Sequence, residues 1–254
     1  MPKAANPVPV AVSSRLAAGP ADQRTPAWRA AGQVGKWAAG TGIDQVFPLC
    51  DQLRPLLPWY GLRRGATVAV MPGVPGATSV LLSLIAEPVR AGSWGAVVGM
   101  PDLGIAAAAE SGVDLARLVL VPDPGAEWAT VTAALLDGLD IVAVCPPGQV
   151  APRLAHRLAA RARQRGGVLI SFGEWDRADV VLRTTGQAWQ GLGAGRGRLR
   201  GRELTLVANG RGAAVRPRKT SIWLPVPGTS PTGAVPDTPA APALVGDLAM
   251  TEVS

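Results

Sequence analysis

Cysteine is nearly absent. Only Cys50 and Cys145 occur, in unrelated contexts, so neither a disulfide framework nor a zinc spacing can be built from them. No apolar run reaches the roughly 18 uninterrupted residues that a membrane span requires. The opening stretch "MPKAANPVPVAVSSRLAAGPA" is broken by Pro and has no continuous apolar segment of the secretory kind. Histidine is limited to His156, with no carboxylate, Cys or second His at ligand or catalytic spacing. No metal site is expected, and a reduced, cytoplasmic protein without a membrane association is.

Apolar residues are plentiful, at 48% of the 254 residues. That length and composition suit one α/β domain with tails, or at most two small domains. The net charge of +7 is carried almost wholly by Arg. Residues 100 to 145 hold seven acids (Asp102, Glu110, Asp114, Asp123, Glu127, Asp137, Asp140) against Arg117 alone. Residues 150 to 220 hold fourteen Arg and one Lys against four acids. Such a split reads either as a solvated basic face or as a footprint for nucleic acid or an acidic partner.

The chain divides into four segments. Residues 1–24 form a Pro/Ala-rich arm. Residues 25–45 include "TPAWRAAGQVGKWAAG", a helix with Thr25 as N-cap, Pro26 in the first turn and Gly40 as its stop. Trp28 and Trp37 fall on opposite sides of that helix at about 3.6 residues per turn, so one is free to be presented outward. Residues 46–215 form the core. There "TVAVM", "WGAVVGM", "LVLVPD", "DIVAVCPP" and "GVLISFG" read as strands. Between them lie "SVLLSLIAEPVRAG" (a helix strained by Pro88), "LGIAAAAESG", "AEWATVTAALLDG" and "APRLAHRLAARARQRG" as helices. Continuous apolar strands alternating with helices predict a mostly parallel sheet covered on both faces. "ADVVLRT", "AWQGLGAGRGRLRG" and "RELTLVANG" predict antiparallel strands joined by turns at one edge. Residues 216–254 are a Pro/Thr-rich, mostly disordered tail with an apolar island at 222–226.

One stretch carries chemical information. In "VAVMPGVPGATSV" a strand enters a Gly/Pro-rich turn and then a helix, the outline of a phosphate-binding loop. Such a loop works through backbone N–H groups around the phosphates, a Lys on the β/γ charge and a Ser or Thr on Mg²⁺. Gly73, Gly76, Thr78 and Ser79 keep parts of it. Met71 stands where the first Gly belongs, Ala77 replaces the Lys, and Pro75 removes an N–H.

The neighbouring sequence resembles the RecA core. "GLRRGATVAVMPGVPGATS" is similar to the entry into its phosphate loop, and "ESGVDLARLVLVPDPGAEWATVTAALLDGLDIVAV" to the stretch that ends in its Walker B strand. "GGVLISFGEW" and "RELTLVANGRG" resemble later core strands, so the similarity covers residues 55 to 215 in order. The resemblance implies a RecA-like, mostly parallel sheet with helices on both faces and an antiparallel extension at one edge. It also implies that the Lys, the water-activating Glu and the Mg²⁺-binding Asp fall on Ala77, Met100 and Cys145, with Asp102 a nearby carboxylate. Without those groups in-line phosphoryl transfer lacks its electrostatic supports, so no ATPase and no cofactor is expected. Cys145 then reads as a small buried residue and not as a nucleophile. The segments after "DIVAV" and "VLISF" are too short for the DNA loops of a strand-exchange recombinase.

A RecA-like core without catalytic residues, flanked by low-complexity arms, resembles the actinobacterial ImuA-prime proteins. These are SOS-induced mutasome accessory factors acting with ImuB, a Y-family polymerase homologue, and an error-prone C-family polymerase. The resemblance implies an adaptor in translesion synthesis, associated with the nucleoid after damage. A stand-alone DNA-binding filament former with structural nucleotide, or a SulA-type division inhibitor, are alternatives. Arg196, Arg198, Arg200, Arg202, Arg211, Arg216, Arg218 and Lys219 are candidates for DNA or acidic-partner contact, or for an exposed charged edge. Arg153, Arg157, Arg161 and Arg165 recur every fourth residue on one helix, as a solvated face or a binding stripe. Trp28, Trp37, Ile222, Trp223 and Leu224 are candidates for docking a partner or the chain's own core. Self-association through the N-terminal helix is a further expectation.

Overall fold

The computed structural model describes residues 46–193 and 196–224, with the backbone described for 190–193 and 196–200. The segment 25–45, with Trp28 and Trp37, and the residues after Leu224 lie outside the described residues.

The strands are β1 (Val46–Phe47), β2 (Leu62–Arg63), β3 (Thr67–Val70), β4 (Gly95–Val98), β5 (Leu118–Val121), β6 (Ile141–Val144), β7 (Val168–Phe172), β8 (Val180–Gly193), β9 (Arg196–Gly210) and β10 (Arg218–Leu224). The helices are α1 (Ala77–Arg90), α2 (Ile105–Glu110), α3 (Trp128–Gly138) and α4 (Pro152–Arg165). β1 and β2 form a small antiparallel pair, and the other strands form one sheet in the order β10-β9-β8-β3-β7-β6-β4-β5. From β8 to β5 every pairing is parallel, while β8–β9 and β9–β10 are antiparallel. This is the mostly parallel α/β arrangement, extended by antiparallel strands at one edge, that the RecA resemblance implies. The phosphate-type loop leaves the centre of the sheet at the end of β3.

The period of two in each strand divides the core into two layers. Val68, Val70, Val97, Ile141, Ala143, Val168 and Ile170 face one layer with α1 and α2. Ala69, Ala96, Val98, Val142, Val144 and Leu169 face the other with α3 and α4. α1 is apolar nearly all round because it is covered twice. Val80, Leu81, Leu84, Ile85 and Val89 are buried among the sheet residues and Phe47, Leu49, Leu53, Leu56 and Leu57 of the preceding segment. Pro88 does not break this helix. It lies one turn from the end, where Ala91 N–H still reaches the Glu87 carbonyl at 2.9 Å.

The edge differs from the expected three antiparallel strands. "ADVVLRT" and "AWQGLG" are one strand, β8, and it runs parallel to β3. The reason lies in residues 173–179, which return the chain to the start of β3 before β8 begins. Asp179 secures that return: its N–H donates to Thr67 O at 2.8 Å, and its carboxylate accepts from Thr67 N–H at 2.8 Å.

The tail also begins later than residue 216. Arg218–Leu224 is a sheet strand, registered from Arg218 opposite Ala208 to Leu224 opposite Arg202. Ile222 is 1% exposed in the layer beneath α1, and Leu224 packs against the same layer. Trp223 N–H donates to Gln52 Oε1 at 2.6 Å. The described part of the apolar island, Ile222–Leu224, therefore belongs to the chain's own sheet: the strand finds unpaired β9 backbone groups beside it, and pairing satisfies both. Ile222 is not available to a partner.

Candidate functional site

The loop after β3 has the shape the sequence suggests. Gly73 and Gly76 adopt φ of +95° and +104°, a region that side chains rarely enter. Gly76 is the N-cap of α1, no side chain caps that end, and Val80 N–H reaches Gly76 O at 2.9 Å. Ala77 begins the helix and is 4% exposed, within the core layer. Thr78 is exposed beside it, as are Pro72, Gly73, Val74 and Pro75.

Strand β9 lies over this loop. A Cβ placed on Gly76 would sit 2.6 Å from Leu204 Cδ1, and Leu204 is fully buried. Two residues earlier on the same face, Arg202 Nη2 donates to Ser79 Oγ at 2.9 Å. Ser79 is held from the other direction, its carbonyl accepting from Ser83 Oγ at 2.8 Å. The Arg202 guanidinium also lies 5.1 Å from the Trp189 ring centroid, a cation–π distance. Burial draws its pKa below the ordinary arginine range. A cation from β9 thus sits on the first turn of α1, close to Ala77.

The other two aligned positions end neighbouring strands. Met100 follows β4, half-buried against the α1 layer. Cys145 follows β6, and its N–H donates to Val98 O at 2.9 Å. Burial raises the Cys145 thiol pKa. Gly99, at φ +76°, lies so close to the Cys145 carbonyl that a Cβ there would come within 2.4 Å. Asp102 is exposed in the turn after Met100. Among the described residues no cluster of three or more His, Cys, Asp or Glu is arranged to hold a metal ion. His156 is exposed on α4.

The basic residues divide into groups with different surroundings. On α4, Arg161 and Arg165 both pair with Asp137 of α3; Arg161 Nε donates at 2.7 Å and Arg165 Nε at 3.0 Å. The Arg161 hydrogen bond, aided by Arg165, lowers the Asp137 pKa from its ordinary value. Half of the supposed stripe is therefore an interhelical pair between the acidic and basic halves of the chain, while Arg153 and Arg157 are exposed. Arg211 Nη1 donates to Arg177 O at 3.1 Å. Arg218 Nη1 reaches Pro55 O at 3.4 Å and Leu57 O at 3.3 Å, and Arg216 is exposed nearby in sequence, with Lys219 on the same strand. Because Arg218 registers with Ala208, this group sits far along β9 from Arg196, Arg198 and Arg200.

Sequence reasoning missed Leu204 and Trp189. Leu204 looks like any strand residue; only the fold brings it to the loop. Trp189 is 52% exposed, and its position in a Gly-rich hairpin is the signal that could have drawn notice to it. Among the described residues no helix is long and apolar enough to cross a membrane.

Residues 55–177 match the family model described as the MT3502 N-terminal domain, a match that stops before β8. The uncharacterized protein Rv3395c of Mycobacterium tuberculosis is 41% identical over 121 residues, covering 45% of this chain and 59% of that protein. The chain therefore aligns with somewhat more than half of that relative's length. Among solved structures, the flagellar accessory protein FlaH of Methanocaldococcus jannaschii is similar with a TM-score of 0.46 at 12% identity, over 70% of this chain and 93% of that one.

Proposed function

We propose that this chain is a non-catalytic RecA-fold adaptor in SOS-induced translesion DNA synthesis, joining an ImuB-like Y-family polymerase homologue and an error-prone C-family polymerase. The observation that carries the non-catalytic part is the seat of β9 on the phosphate-type loop: Leu204 against Gly76 and Arg202 on Ser79. A Walker loop needs its first helical turn open to the β- and γ-phosphates, with a Lys and a Mg²⁺-binding hydroxyl aimed at them. Here the position after Gly76 is a buried alanine; Thr78, at the hydroxyl position, is exposed, and Ser79 one residue on accepts from the chain's own guanidinium. The two aligned carboxylate positions are Met100 and Cys145. These features, together with the colinear RecA-like resemblance over residues 55 to 215, support a core used as a scaffold.

On this reading recognition lies outside the loop. Trp28 and Trp37 of the N-terminal segment remain the docking candidates, with Trp223, half-buried on the edge strand, as a third contact. The adaptor would accompany its polymerase partners to the nucleoid after DNA damage.

The test has two parts. Purified full-length chain is assayed for ATP turnover with and without single-stranded DNA, and is used as bait for an ImuB-like protein. No turnover together with retention of the partner is expected. Turnover that disappears on Asp102→Ala would overturn the non-catalytic reading, and failure to retain the partner would overturn the adaptor reading.

A further inference from the structure

The connections from the middle of the sheet part at its carboxyl end. The chain leaves β3 for α1 in one layer and leaves β6 for α4 in the other, and a crevice opens where such connections diverge. A cleft of about 980 Å³ lies there, between the ends of β3 and β8, the 173–178 loop and the start of α4. One wall is sheet surface: Ala69 and Met71 on the line of β3, with Val181 and Arg183 beside them on β8. Its size is at the upper end for a ligand site.

Groups with unmet bonding needs gather in this cleft. Trp175 lines it at 7% exposure, and its indole N–H has no hydrogen-bond acceptor, an unfavourable state for a buried donor. No side chain caps α4, which starts at Pro152, so the Arg153 N–H beside the cleft is a second donor without an intrahelical acceptor. Glu174 and Asp176, two of the four acids between residues 150 and 220, flank Trp175 on the loop and also line the cleft. Both are exposed, and among the described residues neither has an ion-pair partner, in a half of the chain rich in Arg. Arg183 is exposed and unpaired as well.

A nucleotide or other polyanion would bring its phosphates against both carboxylates. A bare polycation would leave the indole and α4 donors unanswered and would meet Arg183. A peptide answers each group: carbonyls for the two N–H donors, apolar side chains for Met71 and Val181, and a Lys or Arg for Glu174 and Asp176. We propose that this cleft binds an extended segment of a partner protein that combines basic and apolar side chains. The Trp175 N–H is shielded as the loop stands, so its engagement shifts the loop. Arg177, a non-glycine residue at φ +56° in that loop, is a point of backbone strain where such a shift is released.

The proposal adds a docking site to those of the adaptor reading and does not require that reading. Peptide binding and capture of an ImuB-like protein are separate measurements and fail separately. The experiment titrates the full chain into a panel of fluorescein-labelled, end-capped peptides of about six residues, about 20 Å when extended. Each is built from leucine, alanine and two lysines in varied positions, and control peptides carry glutamate for lysine. Anisotropy is read across a salt series. Expected is saturable binding of a lysine peptide, at least about tenfold tighter than its glutamate control. Glu174→Gln/Asp176→Asn should weaken that binding about tenfold and flatten its salt dependence, because salt screens charge pairs. Trp175→Phe keeps a ring and removes the N–H, and should weaken binding about threefold to tenfold with the salt dependence unchanged. The carboxylate pair is exposed, so that variant tests the site even where Trp175→Phe disturbs folding, which a thermal midpoint reports. No saturable binding of any lysine peptide at low salt would overturn the proposal. So would a folded variant that binds like wild type, or full displacement by spermine at equal charge concentration. Self-association of the chain that these variants abolish would give the cleft to a second copy and overturn it too.

Discussion

Leu204 of β9 occupies the space that any side chain at Gly76 would need: a Cβ on Gly76 would stand 2.6 Å from Leu204 Cδ1. The two residues are far apart in the core sequence, and their contact joins the phosphate-type loop to β9.

That contact predicts that Gly76→Ala is destabilising twice over. It forces a Cβ into Leu204 and places a non-glycine residue at φ +104°. A loss of about 2–3 kcal/mol is expected from overpacking and backbone strain. Leu204→Ala should cost about 2–5 kcal/mol by leaving a cavity. The double variant should be less damaging than the sum of the two, because the smaller residue 204 relieves the clash. Chemical denaturation of the four proteins measures this.

Ala77→Lys restores the residue type a Walker loop requires. Ala77 is 4% exposed within the apolar layer around α1, so a lysine there must displace packed neighbours to bring its ammonium to water. The expected outcome is a lower thermal midpoint and, on the adaptor reading, no ATP turnover. A coupled-enzyme assay together with a melting curve checks both halves.

Asp137 supplies a pH dependence whose sign can be stated. Its folded-state pKa is lowered, first by the Arg161 hydrogen bond. Its contribution is therefore complete above the unfolded carboxylate value of about 4 and is lost as pH falls through the folded value. The carboxylate is about one-third exposed, so the effect is modest, about 0.5–1 kcal/mol. Asp137→Asn should melt lower than wild type at neutral pH, and the gap should close as pH drops below about 4. A gap that stays constant down to strongly acidic pH would mean that the pair does not bridge α3 and α4 in solution.

Truncation should distinguish β10 from the residues beyond it. A chain ending at Arg216 loses the pairing of Arg218–Leu224 and the burial of Ile222. It exposes the β9 edge and the apolar layer under it. Burying a side chain of that size stabilises by about 1.5–3 kcal/mol, so a midpoint several degrees lower than that of a chain ending at Pro225 is expected. Docking experiments that remove the C-terminal segment should cut after Leu224, or a folding defect will be read as a lost partner.

The amino-acid sequence by itself determined the alternation of strand and helix, the two-faced parallel sheet and the glycine turn that opens α1. Those features rest on local causes: apolar runs of strand length, helical spacing, and glycines at positions of positive φ. It also determined the residues standing at the loop, Ala77 among them. Only the tertiary structure decided what covers that loop. The Arg202–Ser79 hydrogen bond spans 123 positions, and no local pattern encodes it. The same holds for Arg161 and Arg165, read as a surface stripe until α3 presents Asp137, and for Ile222, read as part of a tail until β9 offers it an edge. Backbone groups and apolar faces left unpaired by one segment are satisfied by another that is distant in sequence. That closure turned β8 parallel, set β9 on the loop, and left Trp189 exposed beside Arg202.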